Sequence, residues 1–376
     1  MTRRHVLFLN NQGLGAVGGG ITILRALTAD LARDHRITLV SDDPPGGAPF
    51  REISAAPFDP PQDIRWRLKP WYKARHLAQQ LDPGLIREAD VVVALDPHFA
   101  LALRTARPRR LIHLSLSCVT RQEWFGSYGS EGWWYAAQYA LLERRLAACA
   151  DAIIVASPMH AREMERFAGC RGRRLHVFSP VFPARTAHPQ HGRGTDFVAI
   201  GRITPVKNLQ ALMPLMKRLP GLRLTMLGEG DDPAPLRRLA EAEGVADRIE
   251  WIGAVGDPTP WIDRATMLLH PSRYESFGMV VQEAMRRGTV PAVFAQGRGR
   301  MNAATDLVRD GETGLLVDYD DPDAAAAAIR ALLDAPQRLA AMSDKAREAA
   351  AQLDRFDYAA RFRDLLDQLH RMDKAA

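Results

Sequence analysis

Short apolar runs that do not alternate constrain this chain more than any other feature. Val6–Leu9, Val91–Leu95, Ala152–Val155, Phe197–Ile200 and Met267–Leu269 are apolar at every position. A strand with one wet face alternates between apolar and polar residues, whereas a strand covered on both faces does not. Segments of helical periodicity lie between these runs, as in Ile21–Arg33, with apolar residues at 21, 24, 27 and 31. Buried strands alternating with amphipathic helices build a parallel sheet with helices on both faces. The pattern runs to Leu175–Phe178, stops, and resumes at Phe197. Between them Ser179–Thr195 carries Pro180, Pro183, Pro189, two Gly and two His with little periodicity, which is the composition of a linker. A chain of 376 residues also exceeds what one hydrophobic core usually spans. Two similar-sized doubly wound α/β domains are expected, over 1–180 and 195–354, with a helical segment over 355–376. Residues 41–63, rich in Pro, Gly and Asp, read as loop, and 207–218 reads as helix.

No apolar run approaches the ~18 residues of a membrane-spanning helix. The run after Met1-Thr2-Arg3-Arg4-His5 is too short for the core of a secretory leader, so none is expected. Cys118, Cys149 and Cys170 are odd in number and far apart, which suits neither a disulfide framework nor a metal pair and favours the cytoplasm. Charge is uneven: residues 1–178 hold 24 Lys and Arg against 17 Asp and Glu, and 179–376 hold 26 against 27. A basic first half suggests an acidic surface or substrate on that side.

Four motifs bear on chemistry. Glu275 lies in a loop after the Met267–Leu269 strand, and Gly278 opens a helix that carries Glu283. Two carboxylates flanking a helix start, with its free amides and positive dipole end, suit a ligand bearing both phosphates and hydroxyls. In isolation, two solvated Glu on a surface helix is the favoured reading. Arg202 follows the first strand of the second domain and Lys207 lies a few residues beyond it. Two cations there suit a diphosphate, although surface Arg and Lys are commonly just solvated. Gly13–Gly20 follows Val6–Leu9 and contains the spacing G-x-G-x-x-G, with Asp42 and Asp43 after the next strand. Polar Asn10-Asn11-Gln12 and the extra glycines depart from the dinucleotide fingerprint. A flexible loop whose amides meet a phosphate fits better, and a plain turn stays open. Asp318–Asp323 resembles a D-x-D metal site, but Asp321 followed by Pro322 reads as a helix cap. Among scattered histidines, His113 at the end of a strand is the one placed to face a ligand.

Together these segments resemble the retaining glycosyltransferases of family 4, which have the two-domain GT-B fold. The pieces stand in the family's order: Gly201-Arg202 with Lys207-Asn208, Leu227-Gly228-Glu229-Gly230, Ile252-Gly253, Pro271-Ser272 through Glu275-Ser276-Phe277-Gly278 to Glu283-Ala284, and Asp310–Val317. The departure is at 296–306, where the usual Gly-Gly and Glu appear as Gln296-Gly297-Arg298-Gly299-Arg300 and Asp306. The resemblance implies two Rossmann-like domains facing a central cleft, with a C-terminal helix crossing back to the first, acceptor-side domain. It implies transfer of a hexose from a nucleotide diphosphate sugar, UDP ahead of GDP, to a hydroxyl acceptor, without metal or cofactor. Arg202 and Lys207 would hold the diphosphate, Glu275 the sugar hydroxyls and Glu283 the ribose. The Phe277, Gly278 and Met279 amides would meet the sugar and the β-phosphate. Gly15, Gly18 and Gly19 would close over the diphosphate and acceptor, and His113 would contact the donor sugar.

Ile64–Arg75 interleaves cations with aromatics. Trp66, Arg67, Lys69, Trp71 and Lys73 suit an anionic membrane surface on the cytoplasmic side, with a lipid-linked acceptor, unless the two Trp pack inward. No nucleic-acid module accompanies the charge. Two other functions fit less of the chain. An NAD-dependent oxidoreductase leaves Arg202, Lys207 and the Glu pair unexplained, and a non-catalytic sugar-nucleotide-binding protein has no use for the full set.

Overall fold

The computed structural model describes residues 3–11, 14, 18–41, 48, 50–54, 68–120, 132–170, 172, 174–180, 195–230, 233–297, 300–353 and 357–375. The chain divides into two compact units. The described residues within 3–120, 132–180 and 357–375 form one, and those within 195–353 form the other.

The first unit runs β1 (His5–Leu9), α1 (Gly19–Leu31), β2 (Arg36–Ser41), β3 (Arg51–Ser54), α2 (Lys69–Gln80), α3 (Pro83–Glu88), β4 (Val91–Ala94), α4 (Ala100–Ala106), β5 (Leu111–Leu114), α5 (Gly132–Cys149), β6 (Ala152–Val155), α6 (Pro158–Glu163) and β7 (Leu175–Val177). The strands pair in parallel in the order β3-β2-β1-β4-β5-β6-β7. Leu7 and Leu9 of β1 join a core that includes Ala74 and Leu77 of α2, Leu103 of α4 and Leu142 and Leu146 of α5. Val6 and Phe8 of the same strand join a core that includes Leu24 and Leu27 of α1. Burial on both faces is why the run does not alternate. The last helix of the chain, Tyr358–Ala375, belongs to this unit. Phe362 stacks on Phe8 at 6.3 Å, and Arg363 pairs with Asp30 at 2.7 Å and Asp34 at 2.8 Å. Arg4 pairs with Asp367 at 2.6 Å, so the helix is held by both apolar contact and charge.

The second unit runs β8 (Thr195–Ile200), α7 (Leu212–Arg218), β9 (Leu224–Leu227), α8 (Ala234–Ala242), β10 (Ile249–Gly253), α9 (Thr259–Arg264), β11 (Ala265–His270), β12 (Tyr274–Glu275), α10 (Met279–Arg286), β13 (Val290–Phe294), β14 (Met301–Asn302), β15 (Leu315–Val317), α11 (Pro322–Leu333) and α12 (Pro336–Leu353). Six strands form a parallel sheet in the order β10-β9-β8-β11-β13-β15, and β12 pairs with β14 as a two-stranded ribbon. Phe197 and Ala199 face one apolar core and Val198 the other.

Two local expectations differ from the structure. Within the segment read as loop, Arg51–Ser54 forms the edge strand β3, parallel to β2. An edge position tolerates Arg51 and Glu52, so no apolar run marks it. The helix expected over 207–218 begins at Leu212, because Asn208 takes a left-handed backbone with φ 53°. Short 3-10 turns over Pro205–Lys207 and Leu209–Ala211 lie on either side of Asn208.

Glu143 of α5 is 1% exposed and clamps the segment after β5, accepting from the Val119 amide at 2.7 Å, the Thr120 amide and the Thr120 hydroxyl. Burial raises its pKa to about 7 against these hydrogen bonds. A carboxyl that binds its proton more tightly when folded stabilises most below its unfolded pKa. That contribution is lost as pH rises through the folded value. The melting temperature should therefore fall between about pH 5 and pH 8, and Glu143→Gln should flatten the fall. An equally steep profile in the variant would show that another group carries the dependence.

Candidate functional site

In an open parallel sheet, loops leave adjacent strands in opposite directions where the strand order reverses, and ligands bind in the crevice this creates. The second sheet reverses between β8 and β11. The loop after β8 brings Gly201, Arg202 and Lys207, and the loop after β11 brings Glu275. Lys207 Nζ donates to Glu275 Oε2 at 2.7 Å, with the two side chains 24% and 16% exposed. Burial alone would raise the Glu275 pKa. The Lys207 charge, His270, the Lys207 hydrogen bond and one from the Phe277 amide outweigh it and hold the carboxyl below its ordinary range. His270, the last residue of β11, places Nε2 3.7 Å from the same oxygen. Burial lowers its pKa to about 4, so the ring is neutral near pH 7.

The backbone fixes this pair from three sides. Gly228 has φ +131°, and a Cβ there would lie 1.9 Å from the Gly201 carbonyl oxygen; one at Gly230 would lie 2.2 Å from the Ile203 oxygen. Only glycines let the loop after β9 support the loop that carries Arg202 and Lys207 this closely. Asn208 is buried and donates to the Pro271 carbonyl at 3.2 Å, and the Arg273 amide donates to Val206 at 2.9 Å. These bonds tie the Lys207 turn to the end of β11. Glu275 pairs in register with Asn302. The fully buried Asn302 amide donates to Ser272 at 3.1 Å and Phe294 at 3.3 Å.

Helix α10 then starts at Gly278, whose φ is +97° and whose added Cβ would meet Ala304 Cβ at 2.5 Å. No side chain among the described residues caps this end. The helix start thus presents backbone donors beside an anionic, lysine-bound carboxylate that itself accepts from the Phe277 amide. Glu283 lies in the second turn, half-buried, while Arg202 is exposed. A carboxylate held below its ordinary range accepts hydrogen bonds from hydroxyls. It does not supply a proton near neutrality, which requires a raised pKa.

The first sheet reverses between β1 and β4. His113 on β5 is 1% exposed and its Nδ1 lies 3.0 Å from the Ala94 carbonyl. A carbonyl only accepts, so Nδ1 carries the proton and Nε2 presents a lone pair. Among the described residues Nε2 has no hydrogen-bond partner, and burial lowers the ring's pKa to about 4. Beside it, Asp96 after β4 accepts from the His98 amide at 2.9 Å, from the His98 ring and from Asn11, whose own oxygen accepts from Lys73 Nζ at 2.8 Å. Burial would raise the Asp96 pKa, but His98 and Lys73 hold it at about 2. Gly18 and Gly19 stand at the start of α1, again without a side-chain cap among the described residues. Gly15 lies outside the described residues, as do Asp42 and Asp43.

The structure thus places Arg202, Lys207, Glu275, Phe277, Gly278, Met279 and Glu283 in the second unit, with Lys207, Glu275 and Phe277 in direct contact, and places His113, Gly18 and Gly19 in the first. Of the side chains expected at a membrane, Trp66 and Arg67 lie outside the described residues and Lys69 is exposed. Trp71 instead packs against the core under Arg145, whose guanidinium lies 5.2 Å from the ring, and Lys73 is tied to Asn11. Asp321 caps α11 by accepting from the Ala324 amide at 3.0 Å, while Asp318 and Asp320 pair with Arg300 and Arg273. Sequence reading did not single out His270, Asn302, Asn11 or Asp96 as site residues. For His270, Asn11 and Asp96 the one signal was a polar residue just past an apolar run, which is the position that faces a crevice in a parallel sheet; Asn302 follows no such run.

Two family models match most of the chain between them. The model for Glycosyltransferase Family 4 matches residues 17–182, and that for Glycosyl transferases group 1 matches 184–349. A D-inositol 3-phosphate glycosyltransferase of Catenulispora acidiphila is 32% identical over 236 residues, 56% of this chain and 54% of that protein. A lipopolysaccharide core biosynthesis glycosyltransferase, LpsE of Rhizobium meliloti, is 32% identical over 136 residues, 36% of this chain and 38% of that protein. The chain therefore matches about half or less of the length of these curated relatives. Among solved structures, sucrose-phosphate synthase from Thermosynechococcus elongatus superposes with a TM-score of 0.82 at 20% identity, over 98% of this chain and 100% of that one. HepE from Anabaena, solved with UDP and glucose, gives 0.74 at 17% identity, over 98% and 100%. These likenesses establish the GT-B fold.

The close approach at Gly228 is testable on its own. Gly228→Ala should destabilise the protein by ~3 kcal/mol in urea unfolding, from overpacking against Gly201 added to an unfavourable φ. Gly256→Ala, where the added Cβ meets nothing within 4 Å, should be close to neutral. Equal stability of the two variants would contradict the packing described.

Proposed function

The chain belongs to glycosyltransferase family 4, and from that membership we propose that it transfers a hexose from a nucleotide diphosphate sugar to a hydroxyl acceptor with retention of configuration. The observation that carries this reading is the Lys207–Glu275 pair, 2.7 Å apart, held at the strand-order reversal of the second sheet beside the uncapped start of α10. Cation, amides and carboxylate together fit a ligand whose phosphates need positive charge and whose hydroxyls need acceptors.

In this reading the second unit binds the donor. Lys207 and Arg202 neutralise the diphosphate, and the Phe277, Gly278 and Met279 amides meet the sugar and the β-phosphate. Glu275 accepts from sugar hydroxyls, and Glu283 from the ribose. As the anomeric carbon–phosphate bond breaks, negative charge grows on the departing oxygen, where Lys207 and Arg202 stabilise it. The acceptor oxygen bonds to the anomeric carbon on the same face, and its proton passes to the departing phosphate. No protein carboxyl has to donate a proton, in keeping with the depressed Glu275 pKa. The cations take the role a metal ion has in other transferases, so transfer is proposed to be metal-independent. His113 Nε2 accepts from a donor-sugar hydroxyl, and the Gly15, Gly18 and Gly19 loop meets the diphosphate and acceptor.

UDP is the proposed base; the Anabaena neighbour was solved with UDP and glucose. Curated relatives are named for inositol phosphate and for lipopolysaccharide core. We assign the acceptor to the lipid-linked glycan precursors, reached at the cytoplasmic face of a membrane. No helix among the described residues is long and apolar enough to cross one.

Thermal-shift screening against UDP-, GDP- and ADP-sugars and NAD should show stabilisation by a UDP-sugar and none by NAD. Lys207→Ala and Glu283→Ala should each lower turnover by about a hundredfold or more, the scale of losing one preorganised charge partner. Near-normal turnover in both would refute the site assignment.

A further inference from the structure

Six large apolar side chains are exposed among the described residues: Leu68, Tyr72, Trp133, Trp134, Leu141 and Met372. Five of them lie on two helices of the first unit, with Leu68 capping α2, Tyr72 within it, and Trp133, Trp134 and Leu141 on α5. Trp133 and Trp134 are 48% and 41% exposed and stack on each other at 4.0 Å between ring centroids. Tryptophan is rarely left so open unless something covers it.

The exposure follows helical geometry. In α2, Pro70, Ala74 and Leu77 are buried, while Leu68, Lys69, Tyr72, Arg75 and Gln79 are exposed along the opposite stripe. In α5, Leu142, Glu143, Leu146 and Ala147 are buried, while Trp134, Ala137, Leu141, Arg144 and Ala148 form an outward stripe. The two helices are neighbours, joined by Arg145 over Trp71 and by a shared core through Ala74, Leu77, Leu142 and Leu146. The described part of α2 contains no acid, and the single acid of α5, Glu143, is buried. The open face of the pair is therefore apolar and purely cationic, through Lys69, Arg75 and Arg144.

Its position also matters. Both helices run back against parallel strands, so their first turns lie at the C-terminal end of the sheet. Lys73 reaches Asn11 there, and Tyr139 meets His98 edge-on at 5.2 Å. Trp133, Trp134, Leu68 and Tyr72 thus border the end that carries His113, Asp96 and Gly18.

We propose that this α2–α5 face is a docking surface for an anionic lipid bilayer, with Trp133 and Trp134 inserted at the headgroup level. Indole rings prefer that interface, and the flanking cations are attracted to anionic headgroups. A second copy of the chain fits worse. A two-fold contact would set Lys69, Arg75 and Arg144 against their own copies with no acid between them. The surface differs from the Ile64–Arg75 stretch picked out by composition, because Trp71 and Lys73 turn inward and α5 supplies the exposed aromatics. The inference rests on the transferase reading only for its purpose, the delivery of a lipid-linked acceptor to the strand ends; the docking itself is independent of turnover.

The test is flotation of the full chain with vesicles of phosphatidylcholine containing about a third phosphatidylglycerol, against pure phosphatidylcholine. The wild type should float with the anionic vesicles and be released by salt. Trp133→Ser/Trp134→Ser and, separately, Lys69→Glu/Arg75→Glu should each lower the bound fraction by about tenfold, with unchanged melting temperature and unchanged stabilisation by a UDP-sugar. A wild type that stays unbound, or two variants that float like it, would overturn the proposal. So would self-association in sedimentation that the Trp variant abolishes. Donor stabilisation without flotation sinks the docking surface alone, and flotation without donor binding sinks the transferase reading alone.

Discussion

Parallel pairing of β8 with β11 is the constraint on which the geometry around Lys207 and Glu275 depends. Because these strands lie side by side and their connections depart in opposite directions, the segments after them diverge, and Lys207 and Glu275 project into the same gap. The pair would otherwise be a poor arrangement. Two partly buried charges lose hydration, and their attraction offsets that loss only when geometry is fixed and remaining hydrogen bonds are met. The structure meets both conditions. Gly228 and Gly230 bring one loop against another at distances that exclude a Cβ, Asn208 ties the Lys207 turn to Pro271, and the β12–β14 ribbon holds Glu275 in register with Asn302. The Lys207–Glu275 pair is held by groups that touch neither charge.

That division explains what could be read in the sequence and what could not. Strand runs such as Val6–Leu9 and Phe197–Ile200 were legible because burial on both faces leaves no polar position. Arg202, Lys207 and Glu275 could be singled out as candidates because they follow β8 and β11, the strand ends where a parallel sheet places its ligands. Edge strand β3 was not, since Arg51 and Glu52 can occupy an edge. The break at Asn208 was not either, because a left-handed asparagine leaves no trace in hydrophobic periodicity. Asn302 and Asn11 act through backbone carbonyls and a neighbouring carboxylate that only the folded chain brings within reach. The basic-aromatic stretch shows the limit of composition in another way: Trp71 and Tyr72 are adjacent in sequence, yet one helical step packs the first against the core and leaves the second in solvent.

The two sheets repeat one arrangement at their strand-order reversals. In the second unit a lysine meets a carboxylate with a neutral histidine beside it: Lys207, Glu275 and His270. In the first, Lys73 reaches Asp96 through Asn11, with His98 bound to the carboxylate and neutral His113 nearby. Both carboxyls are held below their ordinary range against the pull of burial, by adjacent positive charge and hydrogen bonds. Each reversal is thus equipped with fixed anionic acceptors and a bare or weakly engaged imidazole nitrogen, a set that suits hydroxyl-rich ligands.

Fixed charge of this kind bears directly on how the proposed reaction would gain rate. A general acid must change protonation during turnover, and its pKa has to lie near the working pH. Glu275 is displaced in the direction that forbids this, and His270 and His113 are neutral across the same range. What remains is a set of dipoles and charges already oriented before the ligand arrives, so little reorganisation is required as charge develops on a departing phosphate. The rigidity seen around Gly228, Asn208 and Asn302 is then part of the chemistry: a lysine free to follow its counter-ion into water would contribute far less than one whose turn is bound to the end of β11.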